Sequence, residues 1–559
     1  MLKTLIKPRS KIIIMIGVIL AMLLSALDQT IVATAMPNVV RELNGLEHLS
    51  WVFTAYMLAS TVIIPIYGKL SDMFGRRGLY LLGIFVFLLG SALSGASQSM
   101  TQLIIFRAIQ GLGGGMMMVN SIAIIGDIFP PAERAKWQGV LGGIFGLAAV
   151  AGPFLGGWLT DNWGWRTIFY INLPLGLLAI TILAMALPKI IPDIKQRSID
   201  FAGAVTLTLG LVPLLLGLVW GGNQYAWGSG EILGLLAGAV VMLTAFIFIE
   251  RKAKEPILSL DLFKNKAFLV SSLVTFLTAM GMFGAILYIP LFSQGVIGVS
   301  ATNSGVVLLP MMVGLVLASI VSGQIISRTG RYKWLAIIGM AITTIGMYLF
   351  STMTAGTTNS ELIRNMAITG VGLGVTMPIF TIVIQSAFDH SRLGEVTAAS
   401  QLFRSIGGTV GTAVLGSVLN SQLTKQFATI GQEPFLQTLQ QTGIKLPFTS
   451  FNANALQGLL VPDGQKAIVD MLSKAPVALQ AQLMAGFDHF LTAIKIGFSN
   501  SISQVFLVGA ILMFAAFVIV FFLPVITLRK HQKSAFVEAG QELEAELGQS
   551  DSENEPDLG

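Results

Sequence analysis

Apolar residues run in long blocks separated by short polar clusters, and the block length suits a bilayer crossing of about 20 residues. Blocks near 12–36, 49–71, 79–97, 102–126, 137–160, 167–187, 201–220, 230–249, 267–290, 303–326, 334–352, 362–385, 397–419 and 501–527 predict fourteen transmembrane helices. The first block follows Lys3, Lys7, Arg9 and Lys11 but continues through Asp28 without a small-residue cleavage site, so it reads as a retained span. Two stretches break the pattern. Residues 420–500 place Pro434, Pro447, Pro462 and Pro476 between amphipathic runs. They read as a helical pair outside the bilayer, whose apolar faces pack on each other or rest on lipid. The end of the chain is acidic and reads as a short helix fading into disorder.

Charge placement supports the count. Of 34 Lys and Arg residues, 24 fall in alternate segments that become cytoplasmic if both termini are inside, and the short outer loops hold only Arg41 and Arg166. One missed span would swap the loops on one side of it. The net charge of +6 is therefore topological, and nucleic acid is not the expected partner. Only 11% of residues are charged, against about 25% in a soluble domain, which fits a multi-pass protein of the cell membrane. With no cysteine there can be no disulfide or thiolate metal site.

The chain also repeats itself. GKLSDMFGRR at 68–77 is echoed by GQIISRTGRY at 323–332, and IQGLGGG at 109–115 by ITGVGLG at 368–374. These echoes divide the chain into an N-terminal six-helix bundle (1–190), two inserted linker helices (191–266), a C-terminal six-helix bundle (267–527, with the outer loop 420–500) and a cytoplasmic acidic tail (528–559). The fold expected is all-α and membrane-embedded.

Three sets of residues carry candidate chemistry. In GKLSDMFGRR, Gly68 permits close helix contact and Asp72 can pair with Arg76 or Arg77 beside Gly75, which would make a latch that forms and breaks as the halves rock. Asp28 is the one acidic residue deep in a span, about 12 Å from its outer end at 1.5 Å per residue. A carboxylate there costs about 3 kcal/mol or more, so it should face a polar cavity or be protonated part of the time. Either state suits proton exchange or attraction of a cation, and a fixed structural partner is the plainer reading. Arg107 and Arg404 are the buried cations. Arg107 has Met366 at its repeat position, which favours a specific role, while Arg404 is a candidate partner for Asp28 or an Arg snorkelling to the inner surface. Gly152, Pro153, Gly156 and Gly157 allow close packing and a bend in the fifth span. The histidines His48, His390, His489 and His531 fall in predicted loops or the tail, and no phosphate loop, nucleophile elbow or metal motif occurs.

Taken in order, LDQTIVATAMP (27–37), GKLSDMFGRR, RAIQGLGGG (107–115), GPFLGG (152–157) and WGWRTIFYINLP (163–174) resemble the motifs of the major facilitator superfamily, in particular its fourteen-span drug:proton antiporters. The resemblance implies two six-helix bundles plus two inserted helices, and a role in proton transfer for Arg107. It also implies a proton-coupled multidrug efflux antiporter, of the kind associated with antibiotic resistance, that exports amphipathic compounds, cations among them, by alternating access. The expected partners are small amphipathic substrates, protons and the lipid bilayer. The chain is expected to act as a monomer, to be no enzyme, and to need no cofactor beyond the proton gradient. Export of a lipid or metabolite, or a sensor reading ligand through the 420–500 loop, are the alternative functions.

Overall fold

The computed structural model describes residues 8–43, 48–188, 198–222, 224–298, 307–428, 430, 433–442, 459, 462–473, 475 and 477–526. The apolar blocks become helices α1 (Pro8–Leu43), α2 (Leu49–Phe74), α3 (Arg76–Gly95), α4 (Met100–Ile128), α5 (Pro131–Trp163), α6 (Thr167–Ala186), α7 (Phe201–Trp220) and α8 (Gly230–Glu250). After these come α9 (Lys266–Phe292), α10 (Leu309–Thr329), α11 (Tyr332–Ser351), α12 (Asn359–Ser386), α13 (Leu393–Gln426), α14 (Pro434–Thr442), α15 (Pro462–Leu472) and α16 (Val477–Val520). Thirteen of them are long and apolar enough to cross a membrane. The remaining long helix, α5, has 33 residues, ample for a crossing. Fourteen crossings return the chain to the end where it began. The end that carries the α2–α3 turn at Gly75 is the latch end, and the opposite one is the far end.

The repeat seen in the sequence is a repeat of contacts. Gly111 and Gly115 bring α4 against the backbone of α2 at Tyr56 and Ser60, while Gly113 meets α3 at Phe87. In the second half Gly370 and Gly374 bring α12 against α10 at Met311 and Leu315, and Gly372 meets α11 at Thr343. A side chain at any of these six positions would overlap the neighbouring helix, which explains glycines that would otherwise weaken a helix. Met366, the repeat counterpart of Arg107, is fully buried in the second half's core.

Each six-helix half has its own apolar core, and a third joins them at the latch end. That third core combines Val62 and Ile64 of α2, Leu207 and Leu211 of α7, Phe246 of α8, and Val396, Ala398 and Ala399 of α13. The inserted pair α7–α8 therefore packs against the seam between the halves at this end.

Several block ends shift by six or seven residues, α1 running to Leu43, α5 starting at Pro131, α13 running to Gln426 and α16 stopping at Val520, and two starts move as well. The tenth helix, expected from 303, begins at Leu309, with 299–306 outside the described residues. The last span, expected to start at 501, is the inner part of α16, which begins at Val477. His489, expected in a loop, consequently lies on a helix. The extra turns form because α13 and α16 continue past the bilayer and share an apolar face with α14 and α15. Phe435 packs on Phe487 and Phe490, with ring centroids 5.5 and 5.4 Å away, and Phe427 packs on Phe498. The outer segments thus bury their apolar faces on one another. The acidic tail lies outside the described residues.

Removing a buried aromatic of this size costs about 3–5 kcal/mol. Phe490→Ala, at a fully buried position of the outer unit, is expected to lower the thermal unfolding midpoint of the purified protein. Phe514→Ala, on the same helix but 55% exposed on the bundle surface, should leave it in place. Equal shifts in the two variants would contradict a packed outer unit.

Candidate functional site

Two clusters of charge lie within the helical bundle, one towards each end. The first is built around Asp28 on α1, which is 1% exposed. Its Oδ2 accepts from the Arg107 guanidinium of α4 at 2.5 Å, and its Oδ1 accepts from Gln110 Nε2 at 2.8 Å and Asn172 Nδ2 at 3.3 Å. Arg107 also donates to Gln110 Oε1 at 2.7 Å and to the Val52 carbonyl at 3.4 Å, and lies 4.4 Å over the ring of Tyr56. Tyr56 reaches back to Ser25 at 3.1 Å, and Asn172 is held by Ser91 at 3.0 Å. Five helices of the first half thus converge on one carboxylate. A buried charge is tolerated when it is paired and its remaining lone pairs are satisfied, and both conditions hold here.

The partner of Asp28 is therefore Arg107. Arg404 sits half-buried about eleven residues into α13 and makes no hydrogen bond or ion pair with a described residue. The expectation that Asp28 faces a cavity also changes in form, since in this conformation the carboxylate is sealed and neutralised by a guanidinium. Gln110, Asn172 and Tyr56 escaped the sequence reading because neutral polar residues in an apolar span stand out less than charges do. The surviving signal was Asn172 within WGWRTIFYINLP.

The second cluster is at the latch end. Asp72 of α2 pairs with Arg76 at 2.5 Å, and Arg76 reaches Asp127 at the end of α4 at 3.0 Å and also donates to Ser71. Asp72 crosses to the second half, where it accepts the backbone N–H groups of Gly394 and Glu395 at 2.9 and 2.7 Å. Those amides belong to the first turn of α13, so one carboxylate satisfies orphan donors and meets the positive end of the helix dipole. Gly68 makes the crossing close enough, because a Cβ there would run into Ala398 and Gly394. Gly75 adopts φ 90°, a conformation that suits glycine, and turns the chain from α2 into α3. Arg77 donates to the Ala184 carbonyl at 2.5 Å and stays within the first half. A second bridge runs from Arg134 of α5 to Gln385 of α12 at 3.3 Å. Nearby, Arg392 ties to Asp261 at 2.8 Å and holds that carboxyl below its usual range by hydrogen bonding. The stabilisation from Asp261 is present at neutral pH and is lost as pH falls through its lowered value. In the echo of this motif Ser327 stands where the first half has Asp72, so the latch is one-sided.

The glycine run of α5 serves two faces. Gly139, Gly142, Gly143 and Gly146 admit Ser319, Leu315, Val316 and Met312 of α10 in the other half. Gly152 and Gly156 press on Thr30, Ile31 and Thr34 of α1, within two to six residues of Asp28, and Thr30 donates to the Ala148 carbonyl at 2.8 Å. Gly157 has open space beside it, and α5 continues through Pro153 as helix. Among the described residues no group of three or more His, Asp or Glu side chains is placed to hold a metal ion.

Removing the Asp72 carboxylate leaves the Gly394 and Glu395 amides without their acceptor, at about 1–3 kcal/mol for each buried orphan, while Arg76 keeps Asp127. Since the chain has no cysteine, a single Ala398→Cys substitution reports on the seam it lies in. Asp72→Ala is expected to raise its labelling rate by a water-soluble maleimide about tenfold, the equivalent of 1.4 kcal/mol. An unchanged rate would mean that the carboxylate does not hold the halves together.

Comparison with known proteins agrees with this architecture. The family model for the Major Facilitator Superfamily matches residues 18–412. The chain is 42% identical over 527 residues to the multidrug transporter protein MdtP of Bacillus subtilis, covering 93% of this chain and 94% of that one. It is 40% identical over 420 residues to multidrug resistance protein 3 of the same organism, covering 75% and 82%. Among solved structures, the human organic anion transporter MFSD10 superposes with a TM-score of 0.56 at 16% identity, covering 91% of this chain and 100% of that one. The proton:xylose symporter XylE superposes at 0.52 and 14% identity, covering 93% and 98%. These last two likenesses concern the fold alone. With its family match over most of its length, two contact-repeating six-helix halves and a charged seam between them, this chain is a member of the major facilitator superfamily.

Proposed function

We propose that the protein is a proton-coupled exporter of amphipathic compounds that works by alternating access, with the latch end facing the cytoplasm. The observation that carries this reading is the sealed Asp28–Arg107 pair, at 2.5 Å with each residue 1% exposed. The extensive identity to two proteins named for multidrug transport and resistance supports the substrate class.

A proton arriving from the far end neutralises Asp28 and removes the anion that holds Arg107. The guanidinium then keeps only neutral partners and the face of Tyr56, so α1 and α4 lose the charge that ties them. Because α5 touches α1 through Gly152 and Gly156 and touches α10 through Gly139 to Gly146, a shift of α1 is passed to the other half. At the opposite end the Asp72 latch must break for the cytoplasmic side to open. Loss of the proton to the cytoplasm restores the ion pair, and the two charge states of Asp28 thereby favour different arrangements of the halves. Arg404, with no anion among the described residues, is left as a cation for a negatively charged or electron-rich part of the substrate.

Everted membrane vesicles with an acidic lumen, which corresponds to the far side of the membrane, are expected to accumulate a fluorescent amphipathic dye. Asp28→Asn keeps hydrogen-bonding capacity and removes the titratable charge. It should cut gradient-driven accumulation at least about tenfold, a loss of about 1.4 kcal/mol or more of coupling, with expression retained. Accumulation without a gradient, or full activity in the mutant, would rule out proton coupling through Asp28.

A further inference from the structure

The inserted helices bring together two carboxyl groups that the transport reading does not use. Asp200 caps α7, with its Oδ1 accepting from the Gly203 amide at 2.8 Å. Glu250 ends α8, is 4% exposed, and turns Oε1 toward the same residue, so that a Cβ on Gly203 would lie 3.1 Å from Glu250 Oε1 and closer still to Asp200 Oδ2. Asp200 Oδ2 and Glu250 Oε2 are both buried without a hydrogen-bond partner among the described residues. No described Lys or Arg forms an ion pair with either group. Two like charges crowded together in a desolvated site, each with an unsatisfied oxygen, are strongly unfavourable as a dianion. A single proton on either carboxyl group removes the repulsion and supplies a donor at one of the unsatisfied oxygens.

We propose that Asp200 and Glu250 form a proton-binding carboxyl pair, separate from Asp28, that biases the latch toward its closed arrangement. The connection to the latch is a continuous series of hydrogen bonds. Glu250 Oε1 accepts the amides of Ile257 and Leu258 at 3.1 and 3.4 Å. The next residue, Ser259, donates its amide to Glu395 Oε1 at 2.9 Å, and the Glu395 amide donates to Asp72 at 2.7 Å. Ile257, Leu258 and Leu262 are buried in the core that joins the halves, which keeps this connector on the seam. Lys69 of α2 clasps the same connector through Glu255 at 2.7 Å.

The other charges on the packed elements are already engaged or turned outward. Glu395 is held by Arg392 and the Ser259 amide, Asp261 by Arg392, and Glu255 by Lys69, while Arg251, Lys252 and Lys254 are exposed. The closed seam buries the connector whose Ile257 and Leu258 amides hold Glu250 in place beside Asp200, so it binds their proton more tightly than an open seam in which water reaches them. By linkage the closed arrangement is favoured at low pH on the latch side and lost as that pH rises through the affinity of the pair. An acidic cytoplasm would then hold the exporter shut from inside and limit further proton entry.

The inference rests on the alternating-access reading, in which the latch opens and closes, and its test is made independent of Asp28. The full-length chain in lipid nanodiscs, carrying Asp28→Asn, is spin-labelled at Gly78→Cys and Arg331→Cys, two exposed positions on opposite halves of the latch end. The chain has no other cysteine. Pulsed electron resonance is expected to show the longer separation gaining population, about fivefold or more, from mildly acidic to mildly alkaline pH. Adding Glu250→Gln, a neutral mimic of the protonated acid, should abolish that response. So should Asp200→Asn, which retains a favourable helix cap and so guards against misfolding. A pH response that survives in both variants, or none in the Asp28→Asn parent, as a fixed cation beside the pair would give, overturns the proposal. Failure of the transport reading appears separately, as dye export unaffected by Asp28→Asn.

Discussion

Charge inside a low-dielectric bundle must be neutralised in place, and this constraint arranges the rest of the molecule. Asp28 and Arg107 satisfy it at one level of the first half, and Asp72, Arg76 and Asp127 satisfy it at another. Both clusters are strung on the same helices. On α4, Arg107 and Asp127 are twenty residues apart, about 30 Å along the axis, and α2 carries Tyr56 beside the first cluster and Asp72 in the second. A change at either level is therefore a change in how two long elements are held.

Glycine decides how tightly those elements can be held. The six repeat-related glycines of α4 and α12 give each half the same backbone-to-backbone packing, while the glycines of α5 divide between the neighbour bearing Asp28 and the opposite half. Interfaces built from small residues against backbone leave little freedom for continuous adjustment, so the halves are suited to moving as bodies about a seam. The inserted helices join that seam at the latch end, through a shared apolar core and the connector that touches both Lys69 and Glu395. They are part of the closure and not merely an added pair in the lipid.

Much of this was legible in the residues. Block lengths placed the helices with most ends within seven positions, the start of α16 apart, because a lipid-facing surface requires an apolar run of set length. Charge scarcity singled out Asp28 and Arg107, and the Gly-Asp-Gly-Arg spacing singled out the latch. The outer unit was harder to read. Its amphipathic runs left open whether they covered one another or lay on lipid, and the start of α16 was set by contacts such as Phe435 on Phe490, which link segments 55 residues apart.

The sequence by itself determined the helices, the repeat and the few positions where charge enters the membrane, since each follows from local composition and spacing. The tertiary structure alone decided who pairs with whom. Asp28 could have met Arg404 or Arg107, and which guanidinium it meets depends on the faces that α1, α4 and α13 present once their glycines have set the packing. The same holds for Asp72, whose partners at Gly394 and Glu395 are backbone amides more than 300 residues away, with no side-chain chemistry to announce them.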